Sequence, residues 1–286
     1  MKLHFGLTGR NYFITGANSG IGRAIALALG EQGANVAVHY LPATAGAPGA
    51  AHTILGEDAA LQVVETIRHF GAKAAALPAD LSSERDVAAL VSEAEQAVGP
   101  LDGLVNNAAA CELPDSLADA DFGRYRRHYD VNLAAPSLLM RAFARSISSR
   151  PEAAGRVVNI STDSARAFPG QVFYGTSKAA LEAMTRAAAI ELGPSGITVN
   201  AVAPGPVQTG YINDALEQQV LPSIPLRRLG KPDDVAAAVM FLLSDASSWI
   251  TGQIIQVAGG HALSDIRHGA CIAWRQNASL AVTILC

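Results

Sequence analysis

The chain has 286 residues, of which 50% are hydrophobic and 16% charged, enough for one large α/β domain with a well-buried core. Its formal net charge of -4 gives no electrostatic reason to expect a nucleic acid or an acidic membrane surface as partner.

Strand-like apolar runs alternate with helical patterns along the whole chain. Residues 11–15 predict a first strand and residues 20–32 a helix, followed by a strand over Asn35–Tyr40 and a helix closing over residues 63–70. A third strand is expected at 73–77, and then a helix over Glu84–Val98 with Ser82 or Ser83 as N-cap. Strands at 101–106 and 156–160 flank a long helical stretch over 125–146. Val172–Leu192 reads as a helix, 198–203 as a strand, Pro232–Leu243 as a helix and Ile254–Val257 as the last strand. Strands without polar alternation that alternate with helices imply a parallel sheet covered on both faces, a doubly wound Rossmann-type α/β fold. Residues 41–56, rich in Ala, Pro and Gly, read as an extended, mobile loop. The expected division is one domain over residues 1–263 and an atypical tail over 264–286.

Cys111, Cys271 and Cys286 have neither a metal-ligand spacing nor the even count of a disulfide framework, and fit a reducing cytosol. Residues 1–10 lack the apolar run of a signal peptide, and no later run reaches membrane-spanning length. The cytoplasm is the expected location.

Two motifs carry chemistry. Gly16, Gly20 and Gly22 fall between a strand and a helix, where backbone must turn sharply and approach a pyrophosphate closely. Their G-x-x-x-G-x-G spacing is wider at the start than the commoner dinucleotide fingerprint, and taken alone such glycines also suit a purely structural turn. Tyr174 and Lys178 stand four residues apart, so one helix face carries both. A phenol is a poor acid or base at neutral pH, and a neighbouring ammonium favours its phenolate, which suits proton transfer at a carbonyl or alcohol. The alternative for that pair is an ordinary aromatic and a solvated lysine.

Together with Asn106-Asn107-Ala108-Ala109 and Pro204-Gly205, in this order, these motifs resemble the short-chain dehydrogenase/reductase family over residues 9–263. The resemblance implies a seven-stranded parallel sheet with NAD(H) or NADP(H) across its carboxyl edge, and hydride exchange between nicotinamide and a substrate carbonyl or alcohol. It also implies a homotetramer. Gly16, Asn18, Ser19, Gly20, Ile21 and Gly22 would form the pyrophosphate loop, Asp80 and Leu81 would look at the adenine, and Asn107 and Ala108 would line the cofactor. Pro204, Gly205, Val207 and Thr209 match the nicotinamide side. Ala109 departs from the family, which has glycine there.

By the same resemblance Tyr174 is the acid–base residue, Lys178 lowers its pKa and holds the nicotinamide ribose, and Asn132 is the asparagine whose helix backbone anchors a relay water. The carbonyl-polarising hydroxyl stays open. The interval to Tyr174 selects Ser161, the strand ending selects Thr162, and Ser164 is a third candidate.

At the end of the second strand stand His39, Tyr40, Leu41 and Pro42, with no carboxylate for a ribose 2′-hydroxyl. An NADP 2′-phosphate meets no repulsion beside Tyr40, and Arg23, His39 or the Ala-rich loop would supply its partner. NADP(H) is favoured, with NAD(H) as the alternative. The expected activity is reduction of a small ketone, aldehyde or 3-oxoacyl compound. Alternatives are a sugar or polyol dehydrogenase, a nucleotide-sugar epimerase or dehydratase, and a dinucleotide sensor without turnover. Specificity is expected from residues 111–116, 164–173 and 209–228.

Overall fold

Apolar runs flanked by turns become seven strands: β1 (Asn11–Ile14), β2 (Asn35–Tyr40), β3 (Ala74–Pro78), β4 (Gly103–Asn106), β5 (Gly155–Ile160), β6 (Ile197–Pro204) and β7 (Ile254–Val257). The computed structural model describes residues 5–43, 45, 50, 54–150, 153–166 and 170–261. All strands are parallel in the order β3-β2-β1-β4-β5-β6-β7. The order reverses at β1, which pairs with β2 on one side and β4 on the other, and a crevice opens there at the carboxyl edge.

The helices are α1 (Gly20–Glu31), α2 (Glu57–His69), α3 (Glu84–Val98), α4 (Phe122–Tyr129), α5 (Ala135–Ser148), α6 (Val172–Leu192), α7 (Asp214–Val220) and α8 (Pro232–Leu243). Strand residues alternate between two cores. Tyr12, Ile14, Val36, Val38 and Tyr40 pack with Ile25 and Leu29 of α1, Ile67 of α2 and Val239 of α8. Phe13, Ala37, Leu104 and Val157 face the other way, onto Leu90 of α3, Phe143 of α5 and Ala189 of α6. Phe143 is fully buried, and truncating such a side chain to alanine costs about 3–5 kcal/mol.

Local signals set most boundaries. Ser83, not Ser82, caps α3, its Oγ accepting from Asp86 N–H, while Ser82 bonds the Asp80 carboxylate. Helix α2 begins with Glu57 and Asp58 and ends with Arg68 and His69, in accord with its dipole.

Two elements differ from expectation. The stretch expected as one helix over 125–146 is interrupted by a π turn at Asp130–Ala134, where the buried Asn132 side chain bonds a neighbouring segment. Helix α7, capped by Asn213 Oδ1, is an element additional to those the sequence pattern predicts. Half of the residues of the loop expected at 41–56, and all of the tail at 264–286, lie outside the described residues. Among the described residues no helix is long and apolar enough to cross a membrane.

Candidate active site

The crevice at the strand reversal is a cavity of about 1140 Å³. Its floor is built where β1 and β4 end. Thr15 Oγ1 accepts from the N–H groups of Asn107 and Ala108, and Asn107 Nδ2 donates to the carbonyls of Thr15 and Gly16. Gly16 and Gly20 adopt positive φ, +61° and +49°. A Cβ on Gly22 would stand 2.2 Å from the Gly16 oxygen, so only glycine lets α1 approach the strand exit this closely. The N-terminus of α1 opens on the cavity through Ser19, Gly20 and Ile21, and Ser19 makes no side-chain cap. An uncapped helix N-terminus beside glycine backbone is an anion seat, and the cavity has room for a dinucleotide.

Of the residues expected at the cofactor, Gly16, Asn18, Ser19, Gly20, Ile21, Asp80, Leu81, Asn107, Ala108, Pro204, Gly205, Val207 and Thr209 line this cavity. Gly22 lies behind it, against Gly16. Asn18 turns its amide onto the carbonyls of Leu55 and Gly56. Tyr40 is placed differently. It is 4% exposed, packs in the α1/α2 core and interacts with Glu57, whereas His39 and Leu41 face the cavity. Alternation along the last residues of β2 makes the difference.

His39 also corrects its expected role. Its Nδ1 accepts the Gly16 N–H at 2.9 Å and its Nε2 contacts the Ala79 carbonyl at 3.1 Å, which fixes a neutral ring protonated at Nε2. Burial lowers its pKa from 6.5 to about 4. It offers no cation to a phosphate.

The opposite wall joins the exit of β5 to α6. Lys178, 1% exposed, donates from Nζ to the Ile160 carbonyl at 2.8 Å, and Nζ lies 5.9 Å from the Tyr174 ring centre. Burial pushes the Lys178 pKa down to about 7. Burial also raises the Tyr174 phenol above its ordinary range; a hydrogen bond with Thr162 opposes the rise and the Asp163 charge adds to it.

The three candidate hydroxyls separate. Thr162 lines the cavity and is Tyr174's hydrogen-bond partner. Ser161 also lines it, but its Oγ donates to Glu182 at 2.8 Å. Ser164 is 1% exposed and does not reach the cavity. Asn132 is buried below, its amide bonding both polar groups of Ala110 and the Ser177 hydroxyl.

Several side chains here carried no individual sequence signal, although Cys111 and Glu112 fall in the segment 111–116 from which specificity is expected. Glu112 and Arg127, paired through two hydrogen bonds, line the rim. Asp163 and His261 meet at 2.6 Å across 98 residues of sequence. Cys111 stands on the cavity wall. The two pairs depend on contacts between distant segments, which spacing alone does not encode.

Residues 16–262 match the family profile described as enoyl-(acyl carrier protein) reductase. The chain is 37% identical over 256 residues to a 3-oxoacyl-[acyl-carrier-protein] reductase of Staphylococcus aureus, spanning 88% of this chain and 97% of that one. It is 35% identical over 260 residues to the 7α-hydroxysteroid dehydrogenase of Escherichia coli, spanning 89% and 94%. The crystal structure of a blue fluorescent protein from a metagenomic library in complex with NADPH superposes with a TM-score of 0.79 at 32% identity, over 90% of this chain and 99% of that one. On this fold, this site and these relatives, the chain belongs to the short-chain dehydrogenase/reductase family and is an NAD(P)-dependent oxidoreductase.

Proposed function

We propose that the protein is an NADP(H)-linked reductase of a small ketone, aldehyde or 3-oxoacyl compound, with Tyr174 as the proton donor and Thr162 as the polarising hydroxyl. The observation that carries this reading is the pairing of Tyr174 with Thr162 on the cavity wall, while Ser161 is committed to Glu182.

The loop at the α1 N-terminus would hold the pyrophosphate, Asp80 and Leu81 the adenine end, and Lys178, Pro204, Gly205, Val207 and Thr209 the nicotinamide end. When bound, the dihydronicotinamide supplies a hydride to the carbonyl carbon. Thr162 donates a hydrogen bond to the carbonyl oxygen, and Tyr174 gives that oxygen its proton. Burial keeps the phenol protonated, as an acid in the reductive direction requires. The resulting phenolate draws stabilisation from the Lys178 ammonium on the same helix face. Asn132 holds the π turn against Ala110 and Ser177, which supports its reading as the anchor of a proton relay.

The substrate end of the cavity is walled by Ala110, Cys111, Val131 and Tyr211, and the charges of Glu112 and Arg127 are spent on each other. This apolar lining favours a carbonyl compound with a hydrocarbon group over a sugar or polyol. NADP(H) is favoured because no carboxylate of β2 faces the cavity, and the relative of solved structure holds NADPH. Residues 1–263 would form the catalytic domain, working as a cytoplasmic homotetramer. Phe122 and Ile190, 82% and 78% exposed on α4 and α6, support such helix-to-helix association. Light scattering tests the assembly, and oxidation of NADPH across a panel of carbonyl compounds tests the activity.

A further inference from the structure

Asp115 lies in the segment after β4 and is 3% exposed. Its three acceptor oxygens serve the first turn of α6. The backbone carbonyl accepts from Val172 N–H at 3.2 Å, Oδ1 from Phe173 N–H at 2.9 Å and Oδ2 from Tyr174 N–H at 2.9 Å. Helix α6 has no acid in its own first turn, and Gln171 at its N-cap makes no side-chain cap. The cap that a local Asp or Ser would supply therefore comes from a residue 58 positions before Phe173.

We propose that Asp115 is a positioning residue for Tyr174, fixing where the phenol stands and opposing its ionisation through the charge at the head of α6. The proposal rests on Tyr174 as the acid–base residue. Tyr174 is the third residue of α6 and its amide is held by Oδ2, so a shift of that turn carries the phenol with it. The segment bearing Asp115 is itself pinned. Asn132 grips Ala110, His128 Nε2 accepts the Glu112 N–H at 3.2 Å, and the Glu112 carboxylate holds Arg127. Cys111 and Glu112 of this segment line the substrate end of the cavity, so one short stretch both faces substrate and holds the proton donor.

A bare helix N-terminus presents roughly half a positive charge, which favours phenolate at its first turn. The Asp115 carboxylate cancels that field. The other charged or titratable groups near the head of α6 are Lys178 on α6, Asp163 after β5 with His261 bonded to its carboxylate, and, on α4, His128 against the Phe173 ring and Arg127, which is spent on Glu112.

Asp115→Asn keeps the shape and one acceptor but turns an amide toward a backbone N–H. In the full chain with NADP⁺ and the best alcohol, the expected plateau kcat is about tenfold lower while KM for the cofactor stays within about twofold. The pH at which alcohol oxidation reaches half its plateau should fall by about half a unit or more. Asp115→Glu, which keeps the charge and misplaces it, should lose rate while keeping the parent's pH midpoint. In the Tyr174→Phe background, Asp115→Asn should cost the residual rate almost nothing. An unchanged plateau and midpoint, or an equal cost in both backgrounds, would overturn the proposal and leave Asp115 a structural cap. Variants that both fail to fold would overturn it in the same way. Substantial turnover by Tyr174→Phe alone would instead remove the catalytic reading on which the proposal rests.

Discussion

His39 Nδ1 accepts the Gly16 N–H at 2.9 Å, so a buried imidazole at the end of β2 holds the first glycine of the loop at the head of α1. Its other nitrogen reaches the Ala79 carbonyl beyond β3, and the ring thereby joins three strand exits around the cavity. Protonation at Nδ1 would remove the acceptor that Gly16 uses.

The folded-state pKa of His39 is depressed from 6.5 to about 4, so the unfolded chain binds more protons between those values. Stability from this group is complete above pH 6.5 and is lost as pH falls toward 4, by an amount on the order of 3 kcal/mol. His39→Gln, whose amide can accept from Gly16 and donate to Ala79, does not titrate. Urea unfolding across this window should give the variant a shallower pH slope, by up to one proton. Equal slopes would show that His39 is not buried as a neutral ring.

Gly22 and Gly30 both lie on α1 but meet different neighbours. A Cβ at Gly22 would stand 2.2 Å from the Gly16 carbonyl oxygen at the head of the cavity, whereas at Gly30 it would meet Ile67 Cγ1, Cγ2 and Cβ at 2.8, 2.9 and 3.2 Å in the core between α1 and α2. Gly22→Ala should abolish binding of NADPH and cost about 1–3 kcal/mol or more of stability. Gly30→Ala should cost stability while leaving the cofactor Kd near the parent's. Calorimetric titration of NADPH separates the two, and equal affinity in both variants would detach Gly22 from the cofactor seat.

The sheet was legible because buried parallel strands write themselves as apolar runs, and α6 and α8 were read to the residue. That Tyr174 and Lys178 share one wall of the cavity was legible, because their spacing lies within one helix. What escaped depends on side-chain direction or distant partners. The end of β2 was located correctly, yet its alternation turns Tyr40 into the core and Leu41 to the cavity. The π turn at Asp130–Ala134 follows from hydrogen bonds between Asn132 and Ala110, 22 residues apart, which no local propensity records. Thr162 and Ser161 are equivalent in the sequence, and their partners on α6, Tyr174 for the one and Glu182 for the other, distinguish them.

Leu41, not Tyr40, is therefore the position at which to alter cofactor preference. Leu41→Asp places a charge at the cavity wall near the exit of β2, where two partly screened negative charges repel by about 1 kcal/mol. The ratio of kcat/KM for NADPH over NADH should drop several-fold, while Tyr40→Asp should chiefly destabilise the fold. A parent that prefers NADH, or an unchanged ratio in Leu41→Asp, would place 2′ recognition elsewhere.

Lys178 adds a second pH signature. Its folded pKa is depressed from 10.5 to about 7, so the unfolded chain binds more protons in between, and the stability of the cofactor-free protein should rise with pH over that range. At full slope one such group contributes about 1.4 kcal/mol per pH unit. Lys178→Met should flatten the curve and abolish turnover. A parent whose stability stays level between those values would mean that the lysine is solvated.

The most direct measurement of the central claim is the loss of reduced-nicotinamide absorbance when NADPH and a panel of ketones, aldehydes and 3-oxoacyl compounds are mixed with the parent, Tyr174→Phe, Thr162→Val and Ser161→Ala. The expected result is stoichiometric oxidation of NADPH by the parent with at least one carbonyl compound. Tyr174→Phe should lose nearly all turnover while still binding NADPH, Thr162→Val should fall by about 10²–10³-fold, and Ser161→Ala should stay within about tenfold of the parent. Turnover largely retained by Tyr174→Phe, or no oxidation by the parent across the panel with either cofactor, would contradict the account.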